Sequence, residues 1–302
     1  MRTKSNPTGV LVIVLALAII TLTTLTSTIS YDATNVSTRV NVTQSKPVLL
    51  GVVIDENVGD FANITLSQGA TRDIYCNASI RDYNGWDDVA GVNATFYHIT
   101  SSATAADDNN DHYTNSTCTT IGNDGQYIQN FTCIFPVYFY ANNGTWTCNV
   151  TVIDNYNFTD TMLNTTIMSP LYALNVTSLI DYGNLAVEDY SENMTANVTN
   201  FGNMDINLTL FGYGAAELDG LAMVCDIGNI SIDNEKYSYL VDDDFVAKTA
   251  LTDTATQVAG LTIFQQMNDS AASFNTTYWQ LYIEPNPFGQ CNGTVVFEAT
   301  AP

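Results

Sequence analysis

Six cysteines are the residues of this 302-residue chain best equipped for chemistry, and in an exported protein that chemistry is oxidative cross-linking. They fall into two groups: Cys76, Cys118, Cys133 and Cys148 in the first half, Cys225 and Cys291 in the second. In Tyr75-Cys76-Asn77-Ala78-Ser79-Ile80 and in Thr145-Trp146-Thr147-Cys148-Asn149-Val150 the alternation of polar and apolar residues turns each cysteine inward. Facing strands would then join Cys76 to Cys148 across a core, with Trp146 two residues before the second sulfur. Cys118 and Cys133 flank the turn-rich Gly122-Asn123-Asp124-Gly125, so a hairpin would bring them together, and Cys225 is left to pair with Cys291.

The other reactive residue types give little. His98 lies in a strand-like stretch and reads as a partly buried, hydrogen-bonded side chain; His112 sits in a polar loop. With all six thiols paired no cysteine nucleophile is left, and the chain lacks Gly-x-Ser-x-Gly, His-Glu-x-x-His and a phosphate-cradling glycine loop. No enzyme activity is expected, although two carboxylates suffice for a glycosidase and acidic residues are plentiful. A carbohydrate-binding or carbohydrate-cleaving module would use Trp86, Tyr83, Trp279 or Tyr278 as its platform. For calcium, Asp107, Asn109 and Asp111 have alternating oxygen spacing, but His112 stands where an EF-hand needs glycine and Cys118 where it needs glutamate. A simpler surface site on Asp107, Asp108 and Asp111, or on Asp242 to Asp244, is the remaining metal reading; no other cofactor is expected.

Eight basic residues against 31 acidic ones give a formal net charge of −23. That balance excludes nucleic acid, whose binding depends on Lys and Arg displacing counterions, and disfavours anionic lipid.

The elements that would hold these residues are strands. Arg2 and Lys4 precede an apolar run from Val10 to Ile20 and a Thr-rich stretch to Ser30, the pattern of an export signal that is either cleaved or kept as a membrane anchor over residues 10–29. Pilin-type processing after Gly9 is a further option. Positive-inside logic sends the rest of the chain outward. Asn-x-Ser/Thr triplets are dense, among them Asn77, Asn130, Asn149, Asn197, Asn207 and Asn292, and make covalent N-glycans the expected modification. Their middle residues are mostly apolar (Val36, Ile64, Ala78, Phe131, Val150, Val198, Leu208, Ile230), so each triplet is also a piece of strand alternation, and outward Asn and Thr create such triplets by accident. Strands are read at Asp73–Arg81, Val92–Ile99, Gln129–Tyr140, Thr145–Asp154, Asn157–Met168, Asn193–Thr199, Asp205–Phe211, Tyr278–Ile283 and Thr294–Ala299, with an exposed loop at Thr100–Asp111.

The segments Cys76 to Trp86, His112 to Cys118 and Tyr138 to Trp146 together resemble immunoglobulin-like modules of archaeal secreted and cell-surface proteins, over about residues 60–160. Val198-Thr199-Asn200-Phe201-Gly202-Asn203-Met204-Asp205-Ile206 is similar to hairpins of secreted β-domains turned by Asn-x-Gly-Asn. The resemblance implies scaffolding or binding units and brings no catalytic residues. The expected fold is all-β: two tandem immunoglobulin-like sandwiches, 47–168 and 169–302, behind a hydrophobic helix in 1–30 and a Thr/Asn-rich stalk at 31–46. The expected role is a non-enzymatic surface glycoprotein serving as structural or adhesive scaffold, with other surface proteins or copies of itself as partners. An alternative is a filament or lattice subunit in which Tyr31–Leu50, with Val36, Val40 and Val42, completes a neighbour's sheet.

Overall fold

The structure is a computed structural model that describes residues 34–55 and 63–302; the apolar segment at 10–29 and its basic flank lie outside the described residues. Residues from Gln44 onward form one compact unit. It is built of strands with two single-turn 3-10 segments at Trp86–Asp88 and Ile232–Asn234, and among the described residues no helix is long and apolar enough to cross a membrane.

The first sandwich contains β1 (Val48–Asp55), β2 (Thr71–Arg81), β3 (Val89–His98), β4 (His112–Asn115), β5 (Thr119–Asp124), β6 (Ile128–Tyr138), β7 (Gly144–Asp154) and β8 (Thr159–Met168). One antiparallel sheet has the order β1-β2-β6-β5 and the other β4-β3-β7-β8. These are the two faces of an immunoglobulin-type sandwich, with β2 and β7 in the places of the strands that carry its inter-sheet disulfide. Alternation supplies the core: Ile74, Cys76, Ala78 and Ile80 of β2 meet Trp146, Cys148, Val150 and Val152 of β7, all at most 3% exposed. Cys76 is bonded to Cys148 across the sheets, and Cys118 to Cys133 beside the β5–β6 hairpin, as the sequence leads one to expect.

Trp146 and Phe96 share between them the roles of two immunoglobulin aromatics. Trp146 is fully buried, stacks on Phe96 at 4.8 Å, and donates its Nε1–H to the Asn142 carbonyl, 2.7 Å away and four residues upstream. Phe96, opposite Cys148 in the β3–β7 register, fills the position of the core tryptophan, while Trp146 copies the backbone tie of a tyrosine corner. Trp86 stands apart, 38% exposed in its 3-10 turn.

The second sandwich contains β9 (Leu174–Val176), β10 (Met194–Asn200), β11 (Ile206–Tyr213), β12 (Leu221–Ile227), β13 (Asn229–Ser231), β14 (Glu235–Ser238), β15 (Thr249–Ala250), β16 (Thr256–Ile263), β17 (Phe274–Leu281), β18 (Phe288–Asn292) and β19 (Thr294–Thr300). A five-stranded sheet, β15-β14-β17-β10-β9, packs on a three-stranded one, β16-β11-β19, around Val198, Leu208, Leu210, Trp279 and their neighbours. A small third sheet, β13-β12-β18, is stapled by Cys225–Cys291. Several of these strands are too short to show alternation, and β17 begins at Phe274, four residues before the expected Tyr278.

The Asn-Phe-Gly-Asn segment corrects one expectation. β10 and β11 do not form a hairpin; they belong to opposite sheets, and the segment between them crosses over. Asn200 sends Nδ2 to the carbonyls of Met204, Ile263 and Phe264, while Asn203 accepts from the Leu171 N–H at 2.6 Å and donates to the Ser169 carbonyl at 3.2 Å. A Cβ on Gly202 would stand 2.0 Å from the Leu171 oxygen, so only glycine lets the backbones approach this closely. The motif therefore clamps the stretch Ser169–Ala173 that leads out of the first sandwich.

Further contacts complete this joint. The Gly69 N–H donates to Phe201 O, Phe201 packs on Phe139, and Gln265 Nε2 reaches Tyr140 O at 2.7 Å. The stretch Thr100–Asp111 is not wholly an exposed loop: Asn110 is buried and bridges the carbonyls of Tyr140 and Gln266 at 3.0 and 3.1 Å.

Candidate functional site

The expected metal residues do not converge. Asp107 pairs with His112 at 3.0 Å, Asp108 accepts the Asn110 N–H, and the Asp111 carbonyl accepts the His98 N–H. His112 is not in a polar loop; it opens β4, 1% exposed, with its ring against Tyr97. Asp243 and Asp244 are likewise committed locally, Asp243 to the Ser238 hydroxyl and Asp244 to the N–H groups of Val246 and Ala247.

The carboxylates that do converge among the described residues are Asp82, Asp88 and Asp154, each offering one oxygen, all within 4.8 Å of one another. Asp82 follows β2, Asp88 ends the 3-10 turn before β3, and Asp154 ends β7. Asp82 and Asp154 are 0% and 1% exposed. Asp82 Oδ1 accepts from the Asn84 N–H at 2.8 Å, and Asp154 Oδ1 accepts from Tyr156 and Phe158 at 2.9 and 2.8 Å. The Oδ2 atoms of both are buried with no hydrogen-bond partner. Asp88 receives the side-chain amides of Gln44 and Asn155. Gly85, at φ +129°, makes the turn that brings Asp88 back toward Asp82.

Burial pushes the Asp82 carboxyl up from the usual range; the neighbouring charges of Asp88 and Asp154 push the same way, and the Asn84 hydrogen bond opposes them. A signal for this cluster exists in the sequence. Asp82 stands six residues after Cys76 and Asp154 six after Cys148, both on the inward parity of their strands. Where the sulfurs meet, the two aspartates must meet too.

His98 is 9% exposed and holds Thr100 Oγ1 at 2.7 Å, with its other face close to Gly144. Of the aromatic platform, Trp279 is removed: it is fully buried and donates Nε1–H to Thr277 Oγ1. Tyr83 and Trp86 are exposed, Tyr83 lying near Tyr127 and under the Arg81 guanidinium. A groove of about 930 Å³ beside Cys291 is lined by Leu179, Tyr182, Met223, Ile230 and Ile283, and Asp181 is the one carboxylate on its wall among the described residues.

The asparagines of the expected glycosylation triplets follow the alternation. Ala78, Phe131, Val150, Val198 and Leu208, the middle residues of the triplets at Asn77, Asn130, Asn149, Asn197 and Asn207, are buried, so the asparagines lie on the outer faces; Asn292 is exposed at the end of β18. Val36 departs from the pattern. It is 81% exposed, and Val40 and Val42 are similarly bare, in a segment without strand assignment over residues 34–47. The last part of the expected stalk belongs to the first sandwich, with Ser45 N–H on Asn84 Oδ1 and Lys46 on Asp160.

No family model matches the chain, and no curated protein matches it. Among solved structures it is similar to the chaperone–tip adhesion subunit pre-assembly complex CsuC–CsuE of archaic chaperone–usher Csu pili of Acinetobacter baumannii: 10% identity, 78% of this chain, 96% of that chain, TM-score 0.39. A carbohydrate-binding module from the β-sandwich superfamily matches at 10% identity over 86% of this chain and 98% of that one, TM-score 0.26. The C-terminal domain of the Streptococcus pyogenes antigen I/II-family protein AspA matches at 11% identity over 85% and 100%, TM-score 0.25. This is an all-β protein of stacked sheets with three intramolecular disulfides, and such bonds persist in an oxidising, extracytoplasmic setting.

Proposed function

We propose that the chain is a non-enzymatic cell-surface glycoprotein acting as a structural or adhesive scaffold, held by residues 10–29 where that segment is not cleaved. The observation that carries this reading is the locked pair of disulfide-tied sandwiches, in which the histidines are committed to structural contacts. Outward asparagines on both sandwiches support the glycan assignment, and the resemblance to archaeal surface modules points the same way. Protease added to intact cells should digest the protein, and glycosidase should lower its apparent mass in steps. Protection until lysis would overturn the reading.

A second reading, assembly by strand addition, is favoured by the edge of the second sandwich. In the second sandwich β19 is an edge strand, with β11 as its one hydrogen-bonded neighbour among the described residues. Its inward residues Val295, Phe297 and Ala299, and Leu174 and Val176 of the facing edge strand β9, are only partly buried, whereas Leu208 and Leu210 of β11 are fully covered. Residues 34–43 of a second copy would fill this seam: Val36, Thr38, Val40 and Val42 share one face, and Arg39 is available to Glu298. The expected Tyr31–Leu50 donor is shortened, because β1 from Val48 already pairs with β2. Light scattering should find oligomers that disappear when residues 34–43 are deleted. A monomer with that segment intact would reject strand addition and leave the scaffold reading standing.

A further inference from the structure

We propose that Asp82, Asp88 and Asp154 form a calcium site at the pole of the first sandwich, tying the loop after β2 to the turn after β7. Oxygens that all lie within 4.8 Å of one another leave room between them for one ion at or close to the calcium–oxygen distance of about 2.3–2.6 Å. The donors are carboxylates alone, without histidine or thiolate, which selects a hard cation over zinc. Magnesium requires shorter bonds and stricter octahedral geometry, and would bind more weakly.

The argument does not rest on acidity. Asp82 and Asp154 each have one oxygen fixed by backbone N–H groups, and on each the other oxygen is buried without a partner. Buried polar atoms are rarely left in this state. Nothing basic relieves them: none of the three is in an ion pair among the described residues, and the adjacent Arg81 lies over the Tyr83 ring, 4.9 Å from its centre. Asn155 and Gln44 hold Asp88 from outside the cluster, so it cannot swing freely into solvent. Three carboxylates converging this closely require either a cation or bound protons to offset their mutual repulsion. Waters and nearby carbonyls would complete the coordination shell.

The test is a stability cycle on the full chain. Wild type, Asp82→Asn and Asp154→Asn are melted in chelator and in millimolar calcium, with Asp107→Asn as the control. Calcium at about 100 times its dissociation constant should raise the wild-type Tm by roughly 5–10 °C. Asp82→Asn and Asp154→Asn should lose that rise and, because each removes a like charge, should melt above wild type in chelator; Asp107→Asn should respond like wild type. Terbium emission sensitised by Trp86, two residues from Asp88, should be displaced by calcium in wild type. A Tm indifferent to calcium, or an Asn variant lowered equally in both buffers as for a purely structural aspartate, would overturn the proposal. Should the Asn variants fail to fold, wild-type terbium titration still decides it: no calcium-displaceable signal means no site.

Discussion

Replacing Glu235 by glutamine should change how this protein's stability depends on pH. Glu235 opens β14, is 3% exposed, and accepts the Tyr182 hydroxyl at 2.7 Å. Burial pushes its carboxyl up to about 7, against a smaller opposing effect of the Tyr182 hydrogen bond, from an ordinary value of 4.5. The folded state therefore holds a proton that the unfolded chain releases earlier. The resulting stability is fully present below pH 4.5 and is lost as the pH rises through about 7. At 1.36 kcal/mol per unit the loss is about 3 kcal/mol, or roughly 6–12 °C in Tm for a unit of this size. Glutamine keeps the acceptor for Tyr182 and has no charge to bury. Wild type and Glu235→Gln should melt together at pH 4 and separate by that amount at pH 8, with the variant the more stable. Other carboxylates titrate in both proteins: Asp219, held down to about 2 by the N–H groups of its turn, loses its stabilisation as pH falls through that value. The difference between the two curves is thus the quantity to read. Parallel curves from pH 4 to 8 would refute the reasoning.

Other expectations concern bonds, the joint and the glycans. Peptide mapping under non-reducing conditions should recover Cys76–Cys148, Cys118–Cys133 and Cys225–Cys291; replacing the first pair by alanine should cost about 4 kcal/mol and the second about 3 in the chain-entropy model, measured by denaturant unfolding. Gly202→Ala should broaden the small-angle scattering envelope and expose Ser169–Ala173 to proteases while leaving strand content by circular dichroism unchanged; an unaltered envelope would mean that the Leu171 contact does not hold the joint. Mass spectrometry of glycopeptides should find sugar on Asn197 and Asn292, which are exposed, ahead of Asn149, whose Oδ1 is buried.

The first sandwich was largely legible because its long strands alternate without interruption: the parity that buries Cys76 and Cys148 also set the disulfide and the outward asparagines. The second sandwich was less so. Strands as short as β13, β14 and β15 show no period, and the Asn-Phe-Gly-Asn segment carries turn residues whether it closes a hairpin or crosses between sheets. The acidic cluster was missed for a different reason. Local spacing drew attention to Asp107, Asp108 and Asp111, yet oxygens near in sequence here serve their own loop, while the converging ones come from strand ends 72 residues apart, Asp82 and Asp154. Only the parity inherited from the cysteines connects them. Tyr182 and Glu235 had no such signal, since their meeting depends on a loop and a short strand.

The clamp around Ser169–Ala173 also governs what the two sandwiches can do mechanically. Two beads on a loose tether sweep out a cloud of orientations, and each further contact with a surface has to be found anew within it. Here the leaving chain is held at both ends, Ser169 and Leu171 by Asn203 and Gln68 on Leu174, while Asn110 and Gln265 grip the same carbonyl of Tyr140 from two directions. Bending would require breaking these bonds together. The pair thus behaves as a short lever: a load on one sandwich is delivered to the other without slack, and a face of either keeps a fixed aim relative to its neighbour.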